Sequence, residues 1–159
     1  MGDLKRANKK SKPPQDKGPL EHDIQKAFFN VCRFHAEIHN DWRWGNVFAT
    51  PNQAARSFAV AQRMRAEGMR AGVPDVFVAV PCGGYAGLWI EFKRLKAKQT
   101  VPQLQWFRDL RRAGYLCEVC FTAREGTELV FNYFSGKIRR FSNEKVNDCS
   151  SDDPGPSAA

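Results

Sequence analysis

From Glu21 onward the apolar positions Ile24, Phe28, Val31 and Phe34 recur every three or four residues. That is the period of one helix face, and it predicts an amphipathic helix running to about His39. Trp42 and Trp44 fall outside the period and mark a loop. Residues 46–50 read as a short strand stopped by Pro51, and residues 53–67 as a second helix closed by Gly68, after which Gly72 and Pro74 break the chain again. Two nearly continuous apolar runs, 75–80 and 87–93, flank a segment holding Gly83-Gly84, the pattern of a β-hairpin. Leu104, Phe107 and Leu110 predict a third helix ending at Gly114, residues 115–121 a third core strand, and residues 123–134 a last helix. The order helix, strand, helix, hairpin, helix, strand, helix implies an α/β fold with a mixed central sheet flanked by helices.

Composition narrows the setting. The 159 residues suit one domain, and 42% of them are apolar, enough for one core. No apolar run reaches the length of a membrane span, and residues near Met1 lack the apolar stretch of an export signal, so a cytoplasmic location without membrane contact is expected. Five scattered cysteines then read as reduced thiols rather than a disulfide framework. Residues 1–19 are polar and basic, with Lys9, Lys10 and Lys12, and residues 142–159 are polar and acidic; both are expected to be disordered, leaving a folded domain at 20–141. The overall charge is +8, and residues 21–141 by themselves hold eighteen basic against eleven acidic residues. Such a surplus suits a polyanion, because neutralising phosphates releases counterions, although it also serves solubility.

The candidate chemistry sits in the hairpin. Strand alternation puts Leu88, Ile90 and Phe92 on one face and Trp89, Glu91 and Lys93 on the other. The partner run opens with Asp75 straight after Gly72-Val73-Pro74, and an antiparallel hairpin brings the start of one strand near the end of the other. Asp75, Glu91 and Lys93 are thereby gathered at one end of the sheet. Two converging carboxylates offer hard oxygen ligands for Mg2+, and the ammonium can orient a water or a phosphate oxygen. An isolated Glu-x-Lys is usually only a solvated strand face. Joined to a strand-initiating Pro-Asp and a glycine turn, it matches the PD-(D/E)xK nuclease pattern.

The ordered pieces Glu21-His-Asp-Ile-Gln25, Pro51-Asn52, Gly72-Val-Pro-Asp75, Ile90-Glu91-Phe-Lys93, Gln103-Leu-Gln-Trp106 and Gly114-Tyr115 resemble the virus-type replication-repair nuclease family, VRR-NUC, from about residue 21 to 136. One departure stands out: Val101-Pro102 sets the proline next to Gln103, where family members often have Ser-Pro two residues before the glutamine. The resemblance implies a restriction-endonuclease-like fold with Asp75 and Glu91 as metal ligands, the Phe92 carbonyl as a third, and Lys93 positioning the attacking water. It also implies that Glu21 is an additional acidic residue near the metal and that Gln103 supports the site. The residues alone leave other roles open, namely complementing the helix dipole for Glu21 and an ordinary helix start for Gln103.

Around this centre Arg94, Lys96 and Lys98 crowd the strand exit, where they are expected to contact the DNA backbone, and the resemblance adds Asn52 near the substrate. Arg108, Arg111 and Arg112 follow on the next helix, as a phosphate track or a solvated face. Cys117 and Cys120 have a zinc-like spacing with no second ligand pair nearby. The expected function is a Mg2+- or Mn2+-dependent DNA endonuclease acting on branched DNA such as four-way junctions or flaps. The resemblance also implies a homodimer and a phage or bacterial setting in replication, recombination or repair. The alternative is a nuclease fold kept as a DNA-binding or assembly module without catalysis.

Overall fold

A computed structural model describes residues 18–51 and 58–140. The expected arm 1–19, apart from residues 18 and 19, and the expected tail 142–159 lie outside them, as do Asn52 and the first part of the expected second helix. The chain runs α1 (Glu21–Ile38), α2 (Trp42–Gly45), β1 (Val47–Ala49), α3 (Phe58–Ala66), β2 (Val76–Val78), β3 (Leu88–Phe92), α4 (Val101–Arg112), β4 (Leu116–Cys120) and α5 (Ala123–Phe134). The four strands form one sheet in the order β1-β2-β3-β4. The first two pairings are antiparallel and β3 pairs with β4 in parallel, so the sheet is mixed. A parallel neighbour needs a long crossover, and α4 supplies it.

At the hairpin tip, Cys82 and Tyr85 bridge across Gly83 and Gly84, whose φ angles are +59° and +83°. Positive φ at both central residues is what a tight hairpin turn demands and what glycine tolerates. On one sheet face Val76, Val78, Leu88, Ile90 and Phe92 are buried beneath Ile24, Phe28 and Cys32 of α1 and Val130, Tyr133 and Phe134 of α5. Each such side chain taken fully out of water contributes roughly 1.5–3 kcal/mol. The Tyr133 hydroxyl, carried into this core, donates to the Val80 carbonyl at 2.8 Å. The other face bears an aromatic row in which Phe77 stacks on Trp89 at 4.3 Å, with Phe48 and Tyr115 edge-on beside them.

Two local expectations change. The buried stripe of α1 steps by fours through Ile24, Phe28 and Cys32, so Phe34 slips off it and is half exposed, its ring set edge-on to His35 and His39. The segment of Trp42 and Trp44 is a single helical turn rather than a loop: Asp41 caps it by accepting the Arg43 main-chain N–H at 3.1 Å and binds the Arg43 guanidinium. Four residues are too few to display a helical period. Cys32, Cys117 and Cys120 are free and buried.

Gly126 lets α5 approach the sheet. A Cβ there would stand 2.8 Å from the Phe92 ring and 3.1 Å from that of Phe28, both fully buried and unable to yield. Gly126→Val is expected to destabilise the fold by about 3 kcal/mol through overpacking. Urea unfolding measures this, and an unchanged midpoint would show that α5 does not seat on those rings.

Candidate active site

The hairpin register sets the site. Val76 faces Ile90 across the antiparallel ladder, so the next rung places Asp75 opposite Glu91. The Asp75 carboxylate accepts the Phe92 main-chain N–H at 2.9 Å, tying the start of β2 to the end of β3. From the other side β1 holds the same turn: the Thr50 N–H donates to the Asp75 carbonyl at 2.9 Å and its hydroxyl to the Pro74 carbonyl at 2.5 Å. Thr50 was not singled out from the sequence, and nothing in its local pattern beyond the neighbouring Pro51 marks it.

Asp75, Glu91 and Lys93 are the buried charged side chains among the described residues, at 5%, 1% and 7% exposure. The Lys93 ammonium lies 2.7 Å from Glu91 Oε1 and 3.8 Å from Glu21 Oε2. Burial alone would pull Lys93 down, but its bond to Glu91 and the surrounding carboxylates outweigh that and leave its pKa raised. Burial pushes Glu91 up to about 7, helped by the negative charge of Asp75 and opposed by Lys93. Glu91 Oε2 is buried and has no hydrogen-bond partner.

Gln103 reaches this cluster from α4. Thr100 is the N-cap and Gln103 is the third helical residue, so the glutamine Oε1 accepts the Thr100 N–H at 2.8 Å in capping-box fashion. Its Nε2 donates to Glu91 Oε1. One amide thus closes the helix end and holds the buried carboxylate. Pro102, the departure from the family pattern, occupies the second helical position, where a missing N–H costs no helical bond.

Glu21, in the first turn of α1, accepts the Arg94 main-chain N–H at 3.2 Å through Oε1 and turns Oε2 to Lys93. Among the described residues no three His, Cys, Asp or Glu side chains are gathered as a ready metal cage. Arg94 is half-buried, with its guanidinium donating to the Gly18 carbonyl at 3.2 Å, whereas Lys96 and Lys98 stand exposed. Arg111 bonds the Cys117 carbonyl at 2.6 Å and covers the Phe107 ring, so it braces α4 against β4. Cys117 and Cys120 are three residues apart on one strand and therefore face opposite sides of the sheet, where a single zinc ion cannot join them. No described helix is long and apolar enough to cross a membrane.

Comparison with known proteins identifies the family and the fold. The model of the VRR-NUC domain family matches residues 35–123, more than half of the chain, a span that contains Asp75, Glu91, Lys93 and Gln103 and leaves out Glu21. A solved structure described as a VRR_NUC domain protein superposes with a TM-score of 0.62 at 21% identity, covering 76% of this chain and 92% of that one, which shows a shared fold. No curated protein matches the sequence. With its mixed sheet, the hairpin bearing Asp75 and Glu91, and the family match across both, this chain belongs to the VRR-NUC domain family.

Proposed function

We propose that this chain is a Mg2+- or Mn2+-dependent DNA endonuclease that hydrolyses phosphodiester bonds in branched or otherwise structured DNA. The observation that carries the proposal is the convergence of Asp75, Glu91 and Lys93, buried together at one sheet end. Burying three charges is expensive, and stability alone seldom requires it. Perturbed titratable groups of this kind cluster at functional sites.

The donor set fits a hard divalent cation. Both carboxylates supply oxygen, and Glu91 Oε2 is a buried oxygen with no protein donor to meet it. Asp75, Glu91 and the Phe92 carbonyl would hold the ion, with Glu21 beside them; two protein carboxylates suit Mg2+, which keeps several waters. When bound, the ion lowers the pKa of water and offsets charge on the phosphate, toward a barrier reduction on the order of 20 kcal/mol. The protein groups do the positioning. Gln103 fixes the Glu91 rotamer, the Phe92 N–H and Thr50 fix Asp75, and the Lys93 ammonium orients the attacking water or a phosphate oxygen. Lys96 and Lys98, with Arg94 and Asn52, would guide the phosphate backbone. Two copies related by a twofold axis would present two such sites to the strands of a junction, so a homodimer is part of this reading.

Three outcomes are expected. Purified protein should cut a labelled four-way junction or flap in Mg2+ or Mn2+, with no product in EDTA and at least a hundredfold loss in Lys93→Ala; binding without cutting by the wild type would identify a non-catalytic DNA-binding or assembly module instead. Light scattering should report a dimer, and a monomer at working concentration removes that element.

The third outcome concerns pH. In metal-free protein the folded state keeps a proton on Glu91 up to about pH 7, while the unfolded chain releases it near the ordinary value of 4.5. Between those limits the folded state binds more protons, so stability falls as pH rises. Thermal melts should therefore decline across that window and flatten in Glu91→Gln. Metal takes the place of the proton, so Mg2+ should raise the melting temperature more above pH 7 than near pH 5. A metal-independent curve that rises through the window would contradict this account of Glu91.

A further inference from the structure

Beside the acidic cluster lies an apolar cavity of about 520 Å3, walled by Thr50, Pro51, Met64, Met69, Val73 and Trp106. We propose that this cavity receives an unpaired nucleobase adjoining the scissile phosphate, so that a base free of its partner is the feature selected in structured DNA. The proposal rests on the nuclease reading of the neighbouring carboxylates.

Both walls shared with the acidic cluster support it. Val73 stands two residues before Asp75, and Thr50 is bonded to the Asp75 carbonyl. On α4, Trp106 follows Gln103 by three residues, about 4.5 Å along the axis at ~1.5 Å per residue. The cavity and the carboxylates thus share walls, through Thr50 bonded to Asp75 and through the helix that carries both Gln103 and Trp106.

The lining chemistry suits a base. The Trp106 Nε1 donates to the Ala71 carbonyl at 3.0 Å, which holds the indole as a preset wall. Gly72, with φ +82°, lets the Val73 segment press against α4; a Cβ there would lie 2.7 Å from Pro102. Met64 and Met69 add polarizable surface that adapts to a flat ring. At the rim Glu67 is paired with Arg63 at 2.8 Å, and the exposed Arg70 is a cation placed for a phosphate oxygen. The volume falls within the ~300–1,000 Å3 of small-ligand sites, room for one base and its sugar. A paired base has both faces covered and must leave its stack to enter, whereas an unpaired base pays little. A base stacked on an aromatic side chain is worth about tenfold in affinity.

The test compares a fully paired duplex with the same duplex carrying one bulged 2-aminopurine, bound in Ca2+ to the full chain and followed by anisotropy and by 2-aminopurine emission. Wild type should prefer the bulged duplex by about tenfold and quench the probe. Trp106→Leu, which keeps the apolar wall but removes the aromatic face, should bring the preference near unity and relieve the quench. Trp106→Phe, which keeps a ring but lacks the N–H to Ala71, should retain most of both. Equal preference in wild type and Trp106→Leu overturns the proposal, as does a Trp106→Phe variant indistinguishable from Trp106→Leu, since the indole would then act only as a strut. Junction cutting by wild type without preference or quench removes the base pocket and leaves the nuclease standing. Preference and quench without cutting in Mg2+ or Mn2+ supports the pocket and removes the nuclease.

Discussion

The bond from the Phe92 N–H to the Asp75 carboxylate organises this protein, because it lies where the ladder between β2 and β3 runs out. A backbone donor at that point would otherwise face water or a void, and an acidic side chain would have no reason to turn inward. With the bond made, Asp75 is drawn against Glu91, and the repulsion between them demands a cation. Lys93, two residues along the same strand and so on the same face, meets that demand at 2.7 Å. Such a cluster keeps its charges only while every member has a neighbour to answer it.

The surrounding elements can be understood as supports for that arrangement. The core under α1 and α5 buries the opposite face of β3, where Phe92 is fully enclosed, and this holds the strand end rigid. On the site face the N-terminus of α4 carries Gln103, whose amide completes the helix cap and grips Glu91 at once. Helix stability and carboxylate orientation are therefore coupled through a single side chain. Glu21 performs a similar double task at the start of α1, since it receives the Arg94 N–H and faces Lys93 while adding negative charge where the helix dipole favours it.

Much of this was legible because the signals are local. Glycine pairs, prolines and apolar periods mark the ends and faces of elements within a few residues, so α5, the hairpin and the mixed sheet follow from the chain as written. The juxtaposition of Asp75 with Glu91 was legible too, since a tight hairpin leaves few registers. Less visible were the one-turn helix at Trp42–Gly45, too short for a period, and the displacement of Phe34 from the buried stripe of α1. That stripe is set by where α5 lies, and local spacing does not contain the position of another helix.

The amino-acid sequence by itself determined the element order, the side of β3 on which Glu91 and Lys93 fall, and the family to which the pattern is similar. Tertiary structure decided which groups close around them. Gln103 on Glu91 spans 12 residues, Thr50 on Pro74 spans 24, and Glu21 on Arg94 spans 73. The cavity beside Trp106 likewise joins segments from β1, α3, the approach to β2 and α4. The physical reason is that backbone stereochemistry and side-chain alternation act over a few residues, whereas a partner for a buried charge is chosen by whatever the packed sheet and helices bring within about 3 Å.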